Sequence, residues 1–416
     1  MKQKVVVVGG GFAGIQLVRH LDKNLFDVLL IDRINHHQFQ PLFYQVATSQ
    51  IEPSSISFPL RNIFKDHRAI QIRMAEVLEI LPDVNKVRTD IGDFDYDQLV
   101  LATGCKTNFF GNQAIEKNAL TLKTTYDAIA IRNHILSSFE KVLSATPEQK
   151  ERLLNIVIVG AGPTGVELAG SFAEIKRYVL PRDYPDIDFS KLSIFLIEGT
   201  KNTLNAMSDN AHQASAEYLW RMGVTLVMET FVKDYDGHVA VLSNGKTIPT
   251  ATVIWAAGVT GNTVMGLTGD LWTPNGRVKV DRFNRVSGYK NIFALGDIAL
   301  MTTPKFPKGH PQLANVAINQ AKLLSRNFKR QAKGKAWTEY EYRDLGTMAT
   351  IGRNKAVVDL PFVKFKGLLA WFIWMSLHLM LILSVRNKLI IFINWVWSYI
   401  TKDSSLRLIL KQNKDR

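Results

Sequence analysis

The chain has 416 residues, 46% of them apolar and 21% charged, which is enough for two to three domains with complete hydrophobic cores. Its single cysteine, Cys105, excludes an intramolecular disulfide and dithiol chemistry within one chain, and it fits a reducing compartment. The net charge is +14, and residues 361–416 hold nine Lys or Arg and two acids, so half of the excess lies in that segment. These cations cluster beside tryptophan-rich apolar runs rather than along a polar groove, so we expect no nucleic-acid partner.

The first predicted element is a strand–turn–helix unit. The stretch VVVVGGGFAG places Gly9, Gly11 and Gly14 after the strand Val5–Val8 and before a helical apolar pattern. In such a turn the first glycine allows a tight bend, the second lets backbone approach a pyrophosphate, and the third lets the helix pack on the strand. Asp32 ends the next strand, 18 residues beyond Gly14, where a carboxylate binds a ribose hydroxyl. The sequence therefore predicts a dinucleotide site.

The following segment is less specific. A polar and aromatic stretch occupies residues 35–47. His36 and His37 within it are adjacent, so their side chains point apart, and no Cys or HxxxH partner accompanies them; we expect no metal site. Further along, the predicted elements are a strand over 98–104 that ends in AlaThrGly, a helix from Thr124 to Leu143 and a charged linker over 146–152.

A second strand–turn–helix unit begins 151 positions after the first. The stretch IVIVGAGPTG contains Gly160, Gly162 and Gly165. Glu198 ends the next strand, 33 residues beyond Gly165, and residues 181–190 are predicted to form an extended loop that accounts for the longer spacing. A carboxylate there repels a 2′-phosphate, which favours NADH over NADPH, although a solvated strand-end acid is the alternative. Two such units predict an α/β fold with two Rossmann-like dinucleotide-binding domains.

Two strands and a helix close this part of the chain. Strands are predicted over 252–258 and 291–297, and a helix over 310–321 has Pro311 in its first turn. The LeuGlyAsp sequence at the end of the second strand lies where ligands of parallel α/β sheets bind. Asp297 is therefore a candidate for a hydrogen bond to a ribityl hydroxyl, and an N-cap is the alternative.

The last segment is the most apolar part of the chain. Gly367–Val385 carries no charge and is long enough to span a bilayer, whereas the 12 residues of Leu389–Ile400 are too few. Four of the eight tryptophans fall here beside cations, as at a lipid headgroup interface. Three interpretations are open: one transmembrane helix, two or three interfacial helices, or helices buried in a core or dimer.

These motifs together resemble the two-dinucleotide flavoprotein reductases. More narrowly, residues 35–62, with FQPLFYQVAT and IEPSSISFPLRNI, and residues 345–400, with LGTMATIGRNKAVV and RNKLIIFINWVWSYIT, are similar to the type II NADH:quinone oxidoreductases. The resemblance implies that NADH passes a hydride to FAD and that a membrane quinone is then reduced without proton pumping. It also implies a monotopic homodimer, docked on membrane lipid by interfacial C-terminal helices at the cytoplasmic face of the inner (plasma) membrane.

The motifs and the resemblance assign domains and binding residues. The expected domains are an FAD-binding domain over 1–115 and 275–335, an NADH-binding domain over 116–274 and a membrane-anchoring segment over 336–416. The residues expected to bind FAD are Gly9, Gly11, Phe12, Ala13, Gly14, Asp32, Arg33, Ala102, Thr103, Gly104, Gly296, Asp297, Gln312 and Leu313. Those expected to bind NADH are Gly160, Gly162, Pro163, Thr164, Gly165, Glu198, Ala257 and Gly258. Those expected to contact the quinone are Tyr44, Gln45, Asn315, Asn319 and Gln320.

Two residues are expected to be catalytic. The resemblance places Glu167 near the nicotinamide, and an acid that interacts with the helix dipole is the alternative. The family's helix beside the flavin commonly carries an AlaGln…Gln pattern, of which only Gln320 keeps the full-length amide here, so Gln320 is the other candidate. The corresponding positions are Ala314, Asn315, Ala317, Asn319 and Gln320. The helix predicted to start near Pro311 is expected to direct its positive end at the flavin.

Two other functions fit parts of the sequence. One is a soluble-type flavin reductase with a protein acceptor, which requires no membrane segment. The other is a non-enzymatic, nucleotide-sensing membrane-binding protein, suggested by the basic charge. Disulfide reductases and sulfide:quinone reductases are disfavoured because Cys105 has no second cysteine to pair with.

Overall fold

The computed structural model describes residues 2–403 and 406–410. Its strands, named β1–β25 in chain order, are Gln3–Val8, Phe26–Asp32, His36–Gln38, Ser57–Pro59, Ile70–Met74, Val77–Leu81, Lys86–Thr89, Gly92–Asp95, Gln98–Leu101, Cys105–Thr107, Leu120–Thr121, Asn155–Val159, Ser193–Ile197, Val224–Val227, Val232–Tyr235, Val239–Leu242, Thr247–Pro249, Thr252–Trp255, Val259–Gly261, Val278–Lys279, Ile292–Ala294, Ala299–Leu300, Thr347–Gly352, Lys355–Asp359 and Lys364–Lys366. Its α-helices, named α1–α12, are Phe12–His20, Phe43–Ala47, Leu60–Ile63, Gln113–Asn118, Thr125–Val142, Pro147–Leu154, Pro163–Tyr178, Leu180–Asp183, Asp209–Arg221, Ala314–Ala332, Leu368–Leu381 and Val385–Thr401.

The chain divides into two compact units. The first unit consists of Met1–Gln38, Phe58–Lys106 and Val259–Arg343, and the second of Phe39–Ser57, Thr107–Gly258 and Asp344–Arg416. The boundaries of these compact units lie at other positions than the domain boundaries predicted at 115, 274 and 336. The predicted membrane-anchoring segment is not a unit of its own, because β23 packs against α7 within the second unit.

A five-stranded parallel sheet organises the first unit. Its order is β21-β9-β1-β2-β5, and all of its neighbouring strands run parallel. The central strand β1 is buried from Val5 to Val8, as expected for a parallel strand that is covered on both faces. Helices α1 and α10 pack against each other in this unit, and β6, β7 and β8 form a separate antiparallel sheet.

A second five-stranded parallel sheet organises the second unit. Its order is β11-β18-β12-β13-β14, and its central strand β12 is buried throughout. Two antiparallel three-stranded sheets, β15-β16-β17 and β23-β24-β25, belong to the same unit. The presence of two parallel sheets, each with a glycine turn after its central strand, confirms the predicted fold class.

Three local predictions need correction. Residues 146–152 are not a linker but begin helix α6, because Thr146 and Gln149 form a reciprocal capping box and Pro147 is the first helical residue. The predicted loop over 181–190 includes part of the short helix α8. The helix predicted from Pro311 starts instead at Ala314, because Leu313 is extended, with φ −127° and ψ 148°.

The C-terminal segment contains two helices with a break between them. Helix α11 ends at Leu381, because Ile382 turns to an extended conformation with ψ 134°, and α12 begins at Val385. Among residues 2–403 and 406–410, no helix is both long and apolar enough to cross a membrane. Helix α11 thus covers only Leu368–Leu381 of the apolar run Gly367–Val385, for which the sequence had left one helix over the whole run open.

Candidate functional site

The glycine turn after β1 has the backbone geometry that the sequence predicts. Gly9 has φ 109°, and a Cβ at this residue would lie 2.3 Å from the carbonyl oxygen of Ala102. A Cβ at Gly14 would lie 1.8 Å from the carbonyl oxygen of Gly9, so α1 packs directly on the turn. Gly11 has no atom within 4 Å of its Cβ position, which leaves open space beside the start of α1. This is the side on which a pyrophosphate approaches such a turn.

The carboxylate of Asp32 is fixed at the end of β2. One oxygen accepts a hydrogen bond from the backbone N–H of Gly10 at 2.5 Å, and the other accepts one from Ile34 at 2.9 Å. Burial raises the pKa of Asp32. Asp32 and Arg33 line a cavity of about 410 Å³, which also contains Gly9 and Thr103.

The same cavity contains residues that the sequence did not indicate. Asn262 donates from Nδ2 to the carbonyl oxygen of Thr103 at 2.9 Å, and Thr103 Oγ1 donates back to the carbonyl oxygen of Asn262 at 2.8 Å. Lys106 and Glu76 also line this space. Asn262 lies 159 positions from Thr103, so no local sequence pattern connects the two.

The predicted residues around β21 and α10 form one hydrogen-bonded group in the first unit. The N–H of Gly296 donates to Gln320 Oε1 at 2.8 Å, and Gln312 Nε2 donates to the carbonyl oxygen of Asp297 at 3.1 Å. The thiol of Cys105 donates to Asp297 Oδ2 at 3.0 Å. The side chain of Gln320 is only 1% exposed, and its oxygen is already used to hold the Gly296 turn.

The other two amides of α10 are placed differently. Asn315 and Asn319 are partly exposed. Asn315 Oδ1 is buried and has no hydrogen-bond partner within the described part of the chain. The assignment of Asn315, Asn319 and Gln320 to the quinone stays a prediction, and Gln320 has a structural contact that the sequence did not indicate.

The glycine turn after β12 repeats the geometry of the first. Gly160 has φ 101°, and a Cβ at Gly165 would lie 1.8 Å from the carbonyl oxygen of Gly160. Gly162 again has no atom within 4 Å of its Cβ position. A cavity of about 660 Å³ opens here. Its lining includes the predicted residues Gly160, Gly162, Glu198, Ala257 and Gly258, but not Pro163, Thr164 or Gly165, which lie in the first turn of α7.

Glu198 is held at the end of β13 as Asp32 is at the end of β2. Glu198 Oε2 accepts a hydrogen bond from the N–H of Ala161 at 2.7 Å, and Oε1 accepts one from Thr200 at 2.9 Å. The exposed rings of Phe110 and Phe231 also line the cavity, together with Trp255, and none of the three was predicted from the sequence.

Glu167 lies on α7 and is 9% exposed. Its Oε1 accepts a hydrogen bond from the N–H of Thr350 in β23 at 3.4 Å, and this bond and the neighbouring Trp374 side chain both act to lower its pKa. Burial raises the pKa of Glu167 to about 8. Helix α7 comes this close to β23 because of Gly170, where a Cβ would lie 1.6 Å from the carbonyl oxygen of Ile351. The raised pKa therefore favours the protonated, uncharged form of Glu167 at neutral pH.

A small polar cavity of about 60 Å³ lies in the second unit between α2, α7, β23 and the C-terminal helices. Gln45 Nε2 donates to Tyr44 Oη at 2.8 Å, and Trp395 Nε1 donates to Gln45 Oε1 at 2.8 Å. Glu174, seven residues after Glu167 on α7, also lines this cavity, and burial raises its pKa. The sequence indicated Tyr44 and Gln45 but missed Glu174 and Trp395; the spacing of the two glutamates was the available signal.

An apolar groove between α11 and α12 lies beside this cavity. Its volume is about 270 Å³. It shares four residues with the polar cavity, namely Trp371, Met375, Trp395 and Tyr399. The other residues of the groove are Phe372, Ser376, Leu379, Phe392, Val396 and Ile400. The polar cavity at Gln45 and the apolar groove between the two helices are therefore adjacent and share one wall.

Two dinucleotide turns on two parallel sheets define a two-dinucleotide oxidoreductase. Residues 3–321 match the family model "Pyridine nucleotide-disulphide oxidoreductase". Residues 345–402 match a second model, "NDH2 C-terminal domain". These two matches cover both fingerprints and the segment that contains α11 and α12.

Similar proteins narrow the family to which the chain is assigned. The chain is 33% identical over 420 residues to a type II NADH:quinone oxidoreductase of Mycobacterium tuberculosis, covering 96% of this chain and 89% of that protein. It is 28% identical over 369 residues to a type II NADH:quinone oxidoreductase of Staphylococcus aureus, covering 86% of this chain and 89% of that protein. A structure of NDH2 from Plasmodium falciparum in complex with NADH matches with a TM-score of 0.90 at 23% identity, covering 99% of this chain and 100% of that chain.

The chain belongs to the type II NADH:quinone oxidoreductase family. Its reaction class is NADH:quinone oxidoreduction, and FAD is the flavin of the family. These matches give no support to a non-enzymatic nucleotide sensor or to a soluble reductase with a protein acceptor.

Proposed function

We propose that this chain oxidises NADH in its second unit and reduces a lipophilic quinone drawn from the cytoplasmic face of the inner (plasma) membrane. The observation that carries the proposal is that the polar cavity at Gln45 and the apolar groove between α11 and α12 share four lining residues. A lipophilic quinone has a polar head and an apolar tail, and this lining offers a matching surface to each.

The residues of the first unit fit FAD. The space beside Gly11, the N–H groups at the start of α1 and the fixed carboxylate of Asp32 provide sites for a pyrophosphate and a ribose. When bound, FAD supplies the hydride and electron chemistry that amino-acid side chains lack. The Gly296 turn, held by Gln320, and the carboxylate of Asp297 complete the set of proposed FAD contacts in this unit.

The residues of the second unit fit NADH. Gly162 leaves space for a pyrophosphate. Two backbone N–H groups position the carboxylate of Glu198, which is then able to accept a hydrogen bond from a ribose hydroxyl. The exposed rings of Phe110 and Phe231 offer apolar faces for the adenine or nicotinamide.

A charge-neutral change at Glu198 tests the preference for NADH. We expect Glu198→Gln to raise the ratio of kcat/KM for NADPH to that for NADH by about tenfold, because the change removes the carboxylate that repels a 2′-phosphate. Steady-state kinetics with both dinucleotides measure this ratio. Glu229→Gln is the matched control, because Glu229 is an exposed acid on the loop between β14 and β15 and does not line the cavity. An unchanged ratio in Glu198→Gln contradicts the assignment.

Variants of two neighbouring amides on α10, Asn319 and Gln320, test quinone reduction and flavin binding separately. We expect Gln320→Ala to lower the FAD content of the purified protein, because the buried N–H of Gly296 loses its acceptor. We expect Asn319→Ala to keep its FAD and to slow only the quinone step. Flavin absorbance of the purified protein measures the FAD content. Stopped-flow absorbance measures separately the reduction of the flavin by NADH and its reoxidation by quinone. If Asn319→Ala reacts with quinone at the wild-type rate, Asn319 is not part of the quinone site.

We propose that α12 docks the protein on the membrane surface. Leu389, Ile393 and Trp397 follow one another at helical spacing and are 58%, 62% and 58% exposed. Arg386 and Lys388 lie in the first turn of the same helix, where cations interact with anionic lipid headgroups. The homodimer is proposed from the family resemblance, and analytical ultracentrifugation in detergent tests it.

The proposed function has a direct test. Stopped-flow mixing of the FAD-loaded protein with NADH should bleach the flavin absorbance, and a second mixing with a membrane quinone should restore it. A panel of quinones with increasing tail length tests the groove, since longer tails bury more apolar surface there. If NADH bleaches the flavin but no quinone restores the absorbance faster than dissolved oxygen does, the proposal is wrong.

A further inference from the structure

A buried arginine on α5, Arg132, has no oppositely charged partner among the described residues. Arg132 is 3% exposed, and its Nε and Nη2 atoms have no hydrogen-bond partner among residues 2–403 and 406–410. Burial lowers its pKa, and no carboxylate pairs with it within the part of the chain that the structure describes. Arginine nevertheless stays protonated in proteins, so Arg132 is a buried cation.

Arg132 lines a small cavity. The cavity has a volume of about 20 Å³, which exceeds the space that one water molecule needs. Most of its lining is apolar and comes from α5, α7 and the chain after α7, including Phe139 and Phe172. Thr48 and Ser49, which follow α2, complete it on another side, but the Thr48 hydroxyl already donates to the carbonyl oxygen of Tyr44 at 2.7 Å.

A second arginine reaches the same cavity from the C-terminal segment. Arg407 pairs with Asp183 and with Asp403, so its charge is balanced by carboxylates. Its segment is held on α5 by a reciprocal pair of hydrogen bonds. Asn133 Nδ2 donates to the carbonyl oxygen of Leu410 at 2.7 Å, and the N–H of Leu410 donates to Asn133 Oδ1 at 3.1 Å. The cavity is thus bounded by two arginine-bearing elements, by Thr48 and Ser49, and otherwise by apolar groups.

We propose that this cavity is a binding site for one monovalent anionic group, held by Nε and Nη2 of Arg132. An unpaired buried charge is strongly destabilising, and an anion at this position provides both the missing acceptors and the missing opposite charge. A water molecule provides acceptors only. The volume admits a group of about the size of one water molecule, and a chloride ion and the carboxylate end of a fatty acid are the two sources that the experiments distinguish.

Crystallography of the full-length, detergent-purified protein locates the anion. Crystals grown with NaBr in place of NaCl should show a bromine anomalous peak at hydrogen-bond distance from Arg132 Nε and Nη2. If the occupant is a fatty acid, the peak is absent, and organic extracts of the wild type should contain a stoichiometric fatty acid that extracts of Arg132→Met lack. If the crystals show no bromine peak, or only ordered water, at Arg132 and the extracts contain no fatty acid, the proposal is overturned.

Thermal unfolding provides a second test that needs no crystal. For a halide, chloride should raise the Tm of the wild type by about 2 °C over gluconate at equal ionic strength, as expected when a ligand is present well above its Kd. Arg132→Met should lose this difference, and Arg182→Met, which removes an exposed arginine outside the cavity, should keep it. For a fatty acid, delipidation should lower the wild-type Tm and leave that of Arg132→Met unchanged.

The opposite result is equally informative. If the cavity held no anion, removing an uncompensated buried charge would stabilise the protein. Arg132→Met would then unfold at a higher temperature than the wild type in every salt and after delipidation, and this outcome overturns the proposal. If Arg132→Met does not fold, Arg132→Lys takes its place in the test. It keeps the charge but not the two aligned donors, so it should bind the anion more weakly than the wild type.

Discussion

Replacing Glu167 by glutamine is expected to slow quinone reduction about 100-fold or more, the range that general acid catalysis contributes. Glu167 accepts a hydrogen bond from Thr350, which lines the polar cavity, and its raised pKa, about 8, favours the protonated form at neutral pH, so we propose it as a proton donor in quinone reduction; an amide has no such proton to release. The N–H of Thr350 still has an acceptor in the glutamine variant, which preserves the contact with β23. Stopped-flow recovery of flavin absorbance on mixing with quinone measures this step.

The pH dependence makes this expectation specific. The wild-type quinone step should be fast below about pH 8 and decline above it, as Glu167 loses its proton. The Glu167→Gln variant should lack this decline, and Glu151→Gln, an exposed acid on α6, should behave as the wild type. If Glu167→Gln reduces quinone at the wild-type rate, Glu167 is not the proton donor, and a role in binding the nicotinamide alone is favoured.

The same pKa shift affects stability, and its sign can be worked out. The folded pKa, about 8, lies above the usual value of 4.5, so between these values the unfolded chain releases a proton that the folded chain retains. The contribution of Glu167 is therefore most favourable below pH 4.5 and is lost as the pH rises toward 8. We expect Glu167→Gln to remove this loss, so that the Tm difference between variant and wild type increases with pH.

Replacing Leu389, Ile393 and Trp397 together by glutamine is expected to release the protein from membranes. Each apolar side chain contributes roughly 1.5–3 kcal/mol when it is removed from water, so the three together contribute about 5 kcal/mol or more. That corresponds to a loss of more than about 1000-fold in partitioning. Glutamine retains helix propensity, and the three residues do not line the groove between α11 and α12. Vesicle flotation with anionic lipid measures the partitioning.

A matched control uses apolar residues that are equally exposed elsewhere. Leu78, Val84 and Ile91 are 45%, 60% and 54% exposed in the first unit, and their replacement by glutamine should leave membrane binding unchanged. Reduction of a short, water-soluble quinone should also persist in the α12 variant, because the cavity at Gln45 is intact. Continued flotation of the α12 triple variant excludes this face as the docking surface.

Local patterns in the sequence determined both dinucleotide turns and the strands beside them. Glycine spacing is a property of consecutive residues, and only glycine fits where a Cβ would meet backbone within 1.8 Å at Gly14 and Gly165. The strand-end acids Asp32 and Glu198 follow from the same short-range logic, since each ends the strand next to its turn. The apolar composition of residues 361–416 likewise indicated a membrane surface, but it did not show where the helices break.

Only the tertiary structure decided the surroundings of the proposed quinone site. Gln45 contacts Trp395 across 350 positions, and Glu167 contacts Thr350 across 183 positions. Gly170 brings α7 against β23, and this approach buries Glu167 and raises its pKa. Contacts at such separations depend on how whole elements pack, because a short stretch of sequence determines its own turns and periodicity but not which distant side chains it meets. Burial, and with it the protonation state of an acid, is therefore determined by the packed fold.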